Sequence, residues 1–184
     1  MTDKKQIGQI FTPQFLVSEI LDTADYNGAN IVGKHIIDNS CGAGAFLCEI
    51  VRRYIKNCIT AIVKRHLETY IHGIEIDKET YTQCLANLNE TVAEYGISGV
   101  NWDIKNADTL AVDIFDGKMD FVVGNPPYVR VHNLENYEEV KKFKFAEGGM
   151  TDLYLVFFEI GFNMLKQGGK LCYITPSSWI NSVA

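Results

Sequence analysis

Long apolar runs, a secretory leader, paired cysteines and an excess of basic charge are all missing from this sequence of 184 residues. Without an apolar run long enough to span a bilayer there is no transmembrane helix to place, and the polar stretch 1–10 is no signal peptide. The five cysteines (Cys41, Cys48, Cys58, Cys84 and Cys172) are odd in number, and no two stand at the spacing of zinc ligands. They read as reduced, mostly buried small hydrophobes in a cytoplasmic protein. His35, His66, His72 and His132 are scattered and read as structural, so no metal site is expected. With 17 basic against 23 acidic residues and a formal charge of -6, strong binding of duplex DNA by these residues alone is disfavoured. Repeats and low-complexity tracts are absent as well. What remains is one chain, 47% hydrophobic, with enough apolar residues for a single well-buried core.

Proline is scarce, with four in the chain, yet two of them are adjacent in Asn125-Pro126-Pro127-Tyr128. The tetrapeptide follows the apolar run Met119-Asp120-Phe121-Val122-Val123-Gly124. Proline fixes its own φ and restricts the residue before it, so Asn125 and Pro126 are held extended and Pro127 cannot donate to a sheet ladder. The chain must leave the sheet at this point. It offers there a side-chain amide, a rigidly held backbone carbonyl and a flat ring, which together can grip a planar amino group.

Upstream, the short apolar strand at 35–40 runs into Cys41-Gly42-Ala43-Gly44-Ala45-Phe46-Leu47, where two glycines allow a tight turn and close approach to a ligand before a helix opens. A second strand, Ile71-His72-Gly73-Ile74-Glu75-Ile76-Asp77, carries an acidic residue at its carboxyl end, the position that faces a ribose in a doubly wound sheet. The interval from Gly44 to Glu75 exceeds the roughly 20 residues usual for dinucleotide sites, so 46–70 must hold a longer helix or two helices. Thr12 is a plausible N-cap, with Pro13 at the first position of a helix over 13–24. Further strands are expected near 35, 71, 102, 119 and 170. Leu153, Val156, Phe157, Ile160 and Met164 share one helical face, and Lys166-Gln167-Gly168-Gly169 ends that helix. Alternating strands and helices imply a parallel sheet covered on both faces, with ligands at the carboxyl ends of the strands.

In these segments the chain resembles the amino methyltransferases of DNA, most closely the adenine-N6 class that includes the methylases of type II restriction-modification enzymes. The resemblance covers nearly the whole chain and implies an α/β, three-layer Rossmann-like methyltransferase fold with a mostly parallel sheet. It also implies S-adenosylmethionine as cofactor. Gly8-Gln9-Ile10-Phe11-Thr12-Pro13 is similar to the N-terminal motif, whose Thr12 and Pro13 would lie beside the methionine part of the cofactor. Asp38 to Phe46, with Cys41, Gly42 and Gly44, resembles the glycine loop, although Asn39 stands where the family more often has proline and Ala43 where it has a hydroxyl residue. Glu75 matches the acid that holds the ribose hydroxyls, Ile76 the residue beside the cofactor's adenine, and Asp108 the acid that accepts from that adenine's amino group. Asn125, Pro126, Pro127 and Tyr128 match the catalytic tetrapeptide, with Tyr128 stacking on a base flipped out of double-stranded DNA.

The same resemblance implies that 1–184 is a catalytic domain that stops before a closing hairpin and a target-recognition domain. Such a fragment would be inactive alone and would self-associate through the unpaired edge of the strand 170–176. Arg130, Lys141, Lys142 and Lys144 read equally as a solvated face and as phosphate contacts. Amino methyltransferases acting on RNA or on a protein glutamine, and a non-catalytic specificity or binding module, are the alternatives. The target DNA sequence and any fused nuclease lie outside what these residues encode.

Overall fold

A computed structural model describes residues 12–130, 140–146 and 152–176. Five strands, β1 (Ile36–Asp38), β2 (Ile71–Glu75), β3 (Asp103–Asn106), β4 (Met119–Gly124) and β5 (Leu165–Tyr173), form one sheet in the order β3-β2-β1-β4-β5. Every pairing is parallel. Strands β1 and β2 are buried along their whole length, as expected of a sheet covered on both faces. The order runs outward from β1 in one direction through β2 and β3, and in the other through β4 and β5. The reversal between β1 and β4 is therefore the switch point, where open α/β sheets bind their ligands.

Side chains alternate across the strands and so supply two cores. Ile36, Ile71, Ile104 and Val123 pack on one face against α1 (Gln14–Thr23), α2 (Ala45–Asn57), α3 (Thr60–Tyr70) and α4 (Lys78–Ala93). Ile37, Ile74, Met119 and Val122 pack on the other against α5 (Leu153–Met164), whose expected apolar face is buried at Leu153, Val156, Phe157, Ile160 and Met164. The long interval after the glycine turn is two helices, α2 and α3, and α3 runs straight into β2. Among the described residues no helix is long and apolar enough to cross a membrane.

Two local expectations change. Pro13, not Thr12, takes the N-cap position of α1, where its carbonyl accepts from Leu16 N and Val17 N and no side chain caps the helix. The stretch Lys166 to Gly169 does not terminate a helix, because α5 has already ended at Met164. It forms a bulge instead: Met119 pairs with Leu165 and Phe121 with Lys170, so two steps along β4 are matched by five along β5. Strand β5 pairs only with β4 among the described residues, and the expectation of self-association rests on that open side alone. Gly8 to Phe11 and the chain beyond Pro176 lie outside the described residues.

At the amino ends of the strands, opposite the switch point, three polar groups form a chain across the sheet. His35 Nδ1 lies 2.9 Å from His72 Nε2, and His72 Nδ1 lies 2.6 Å from Asp103 Oδ2. The bond to His72, aided by Lys105 and opposed by partial burial, lowers the Asp103 pKa to about 2. The unfolded chain would take up that proton near pH 4, so the contribution of Asp103 to stability is present above about pH 4 and is lost as pH falls toward 2. Asp103→Asn should cost about 1 kcal/mol at pH 7, the linkage value reduced by screening at a partly exposed site. In urea unfolding the gap between the two proteins should shrink from pH 5 to pH 3. A gap that stays constant over that range would remove this carboxylate from the acid response.

Candidate active site

Strands β1 and β4 end side by side, and their last residues are fitted to one another. Asp38 closes β1 and Gly124 closes β4 next to it. Gly124 has φ +149, and a Cβ there would stand 2.6 Å from Asp38 Oδ1, so the buried carboxyl group rests directly on the glycine backbone. Asp38 Oδ1 accepts from Ser40 N at 3.1 Å. Burial pushes the Asp38 pKa up to about 7, the Ser40 amide pulling it down and the charge of Glu75 adding to the rise. The neighbouring Ser40 hydroxyl is buried with no hydrogen-bond partner among the described residues. Buried polar atoms are nearly always paired, so a carboxyl held at the edge of ionisation beside an unpaired hydroxyl marks a place for a polar ligand.

The glycine loop crosses from β1 to α2 under tight control. Cys41 N donates to Ile74 O at 2.9 Å, and Gly44 N turns back to Cys41 O at 2.8 Å. Gly44, at φ +89, sits so close to α4 that a Cβ would meet Cys84 Sγ at 2.9 Å. Gly42 N donates to Glu75 Oε2 at 2.9 Å, and Asp77 N donates to Glu75 Oε1 at 2.8 Å. Glu75 is 6% exposed, and burial raises its pKa against the pull of these two amides. Asn106 Nδ2 secures the next turn through Glu75 O and Ile76 O at 2.9 and 3.1 Å. The Ile76 side chain stands exposed, and half-buried Asp108 caps the short turn at Thr109–Ala111 by accepting from Leu110 N at 3.0 Å.

Asn39, at the position where proline is expected, is fully buried and tied at three points. Its Oδ1 accepts from Tyr173 OH at 2.9 Å, its carbonyl accepts from Thr109 Oγ1 at 2.6 Å, and its Nδ2 faces Met164 Sδ at 3.9 Å. The departure from the family pattern is thus a cross-link between the glycine loop and β5 that proline could not make.

At the end of β4, Asn125 is gripped from two sides. Its Nδ2 donates to Thr12 Oγ1 at 3.2 Å, and its Oδ1 accepts from Tyr128 OH at 2.5 Å. Tyr128 OH also lies 3.0 Å from Ile174 O, and the ring stands edge-on to Tyr154 with centroids 6.2 Å apart. Pro126 is buried beneath the turn, Pro127 and Tyr128 are half-buried, and burial raises the Tyr128 pKa.

A cavity of about 800 Å³ opens on this end of the sheet and is lined by Thr12, Asp38, Cys41, Gly42, Gly44 and Asn125, continuing between α2 and α4. Six of the residues singled out in the sequence therefore share one wall. Glu75 is tied to that wall through its bond to Gly42, while Pro13, Ile76, Asp108, Pro126, Pro127 and Tyr128 do not line the cavity. Ser40 and Asn106 escaped the sequence reading because neither residue type is unusual and only the fold reveals what it touches. Arg130 carries an ion pair to Asp152 at 3.0 Å, and Lys142 lies over the Phe143 ring at 5.2 Å. Among the described residues no cluster of metal-ligating side chains occurs.

A parallel sheet with this strand order, a glycine loop after β1 and acids at the ends of β1 and β2 is a doubly wound α/β fold with its candidate site at the switch point. A protein of Listeria monocytogenes assigned to the class I S-adenosylmethionine-dependent methyltransferases shares this fold, with a TM-score of 0.67 at 20% identity over 97% of this chain and 50% of that one. The profile of the Eco57I restriction-modification methylases matches residues 46–184, and the chain belongs to that family. Type II methyltransferase M.BstVI of Geobacillus stearothermophilus is 32% identical over 89% of this chain, and modification methylase CviBIII of Paramecium bursaria Chlorella virus NC1A is 31% identical over 97%. The chain spans 32% and 40% of the length of these two relatives.

Proposed function

We propose that this chain is the methyl-transfer core of a restriction-modification DNA methyltransferase that uses S-adenosylmethionine to methylate N6 of adenine in DNA. The observation that carries this reading is the meeting of Asp38 and Asn125 in one cavity across Gly124, a cation-seeking carboxyl and an amine-seeking amide at adjacent strand ends. Kinship with type II methyltransferases supports DNA as the substrate class. The residues present fit the cofactor: the unpaired Ser40 hydroxyl and the Asp38 carboxyl suit its amino-acid part, and Glu75 suits its ribose.

When bound, S-adenosylmethionine supplies a methyl group that carries positive character on its sulfonium. The chain itself must make a poor nucleophile act. An exocyclic adenine amine has its lone pair delocalised into the ring, and acceptors placed on its two hydrogens favour the pyramidal nitrogen that frees the pair. Asn125 Oδ1 and the Pro126 carbonyl are those acceptors, fixed in advance by the proline pair. Tyr128 would lie against the base, which leaves the duplex to reach the site. After transfer the amine is cationic and acidic, and its proton leaves to water without a strong base in the chain.

The test has two arms in the complete protein. Glu75→Ala should weaken S-adenosylmethionine binding by about 1 to 3 kcal/mol, the cost of leaving a buried hydroxyl pair without its acceptor. Calorimetry showing equal affinity in both proteins would take Glu75 out of the site. Radiolabelled methyl transfer should go to adenine-containing duplex DNA. Label appearing instead on RNA, or on glutamine in a protein, would replace the proposed substrate.

A further inference from the structure

Thr12 precedes the first proline of a helix, a place where a threonine hydroxyl normally caps the helix amides. It does not do so here: the amides of Leu16 and Val17 turn to Pro13 O, and α1 has no side-chain cap. The hydroxyl is nevertheless buried with its residue, which is 7% exposed. The partner of Thr12 Oγ1 is Asn125 Nδ2 at 3.2 Å, 113 residues away in sequence. A hydroxyl withdrawn from its own helix and spent on the tetrapeptide's amide calls for a reason.

The two ends of a carboxamide are nearly identical in shape and opposite in hydrogen bonding, so sterics alone cannot decide which end points where. Only partners decide it. In this site Thr12 Oγ1 takes an N–H from the nitrogen end, and Tyr128 OH, itself beside Ile174 O, gives its hydrogen to the oxygen end. Gripped at both ends in this way, the Asn125 carboxamide is held in one place and one plane, and loss of either hydroxyl frees it to turn about χ2. An amide free to turn about χ2 would present N–H groups to the incoming amine, donor against donor, and the transfer described above would keep only the Pro126 carbonyl to hold the amine's hydrogens.

We propose that Thr12 is a positioning residue for the reaction: it fixes the orientation of the catalytic Asn125 amide, separately from any part in holding the cofactor. This rests on the function proposed above. Its consequence is a division between rate and binding that a cofactor-contact role would not give.

The experiment uses the complete protein, S-adenosylmethionine and adenine-containing duplex DNA. Thr12→Val keeps the shape and loses the acceptor; Thr12→Ala loses it without adding bulk; Thr12→Ser keeps it. The single-turnover methyl-transfer rate at saturating cofactor should fall about ten- to a hundredfold in Thr12→Val and Thr12→Ala, through a lost bond and a misaligned acceptor. Cofactor affinity by calorimetry should stay within a few-fold, and Thr12→Ser should restore the rate to within about threefold of the parent. Thermal melts identify any variant that fails to fold, and Thr12→Ala stands in if valine does not fit. Unchanged rates in both folded variants, or a loss of cofactor affinity as large as the loss of rate, would overturn the assignment. A parent protein that methylates no adenine overturns the proposed function itself, which the variants' comparison with the parent keeps distinct.

Discussion

Asn125→Ala should abolish measurable methyl transfer to adenine in the complete protein while leaving S-adenosylmethionine affinity within a few-fold. The side chain belongs to the substrate half of the site. It stands at the end of β4, held between Thr12 and Tyr128, and its oxygen is the only part of it suited to an amino hydrogen. Removing a preorganised group of this kind from a water-poor site typically lowers the rate about 100- to 1,000-fold. Here the loss should be at the upper end, because the remaining acceptor, the Pro126 carbonyl, can take one hydrogen and not both. Alanine also leaves Thr12 Oγ1 and Tyr128 OH without their shared partner. The tyrosine hydroxyl can turn to Ile174 O and the threonine hydroxyl to water, so the fold should survive. Single-turnover transfer and calorimetry on the same preparation decide the matter. Normal transfer by the variant would place the chemistry elsewhere. A matching collapse of cofactor affinity would mean that Asn125 shapes the cofactor's side of the cavity.

The parts of this site that could be read in the sequence are those whose geometry is local. Proline pairs end strands wherever they occur, two glycines three residues after a strand make a turn, and 25 residues between a glycine loop and the next strand must be filled with helix. The structure places Asn125, Asp38, Gly42 and Gly44 accordingly and fills the interval with α2 and α3. What could not be read is held by contacts between distant segments. Thr12 was assigned to its own helix because nothing nearby says that Asn125 will arrive 113 residues later. Asn39 looked like a departure from a pattern, and only Tyr173, 134 residues on, shows why an amide is wanted there. In the sequence the stretch 166–169 reads as a helix end, because two glycines permit either a helix end or a bulge, and the register against β4 chooses the bulge. In the same way Arg130 reads equally as part of a solvated face and as a phosphate contact, and only the fold sets Asp152 beside it.

Gly124→Ala should be the most damaging single-atom addition to the site, costing about 2 to 6 kcal/mol of stability together with most of the cofactor affinity. Two separate effects combine. A residue with a side chain strongly disfavours φ +149, which carries a strain of about 1 to 3 kcal/mol. The new methyl would also fall 2.6 Å from Asp38 Oδ1 and 3.3 Å from its Cγ, closer than real contacts allow. Overpacking of that kind costs about 1 to 3 kcal/mol where neighbours cannot give way. Asp38 has little freedom to retreat, being 1% exposed and tied to Ser40 N. If it does move, it leaves the place where it faces the cavity, so stability recovered by relaxation is lost again in binding. Gly117→Ala is the control: its φ is +68 and an added Cβ would meet nothing within 4 Å, so it carries the backbone term alone, about 1 kcal/mol. Urea unfolding should therefore show the larger loss in Gly124→Ala, and calorimetry should show affinity for S-adenosylmethionine lost in Gly124→Ala only. Equal stabilities for the two variants, with cofactor binding intact in both, would show that Asp38 and Gly124 are not fitted to one another and that the carboxyl has room the structure does not give it.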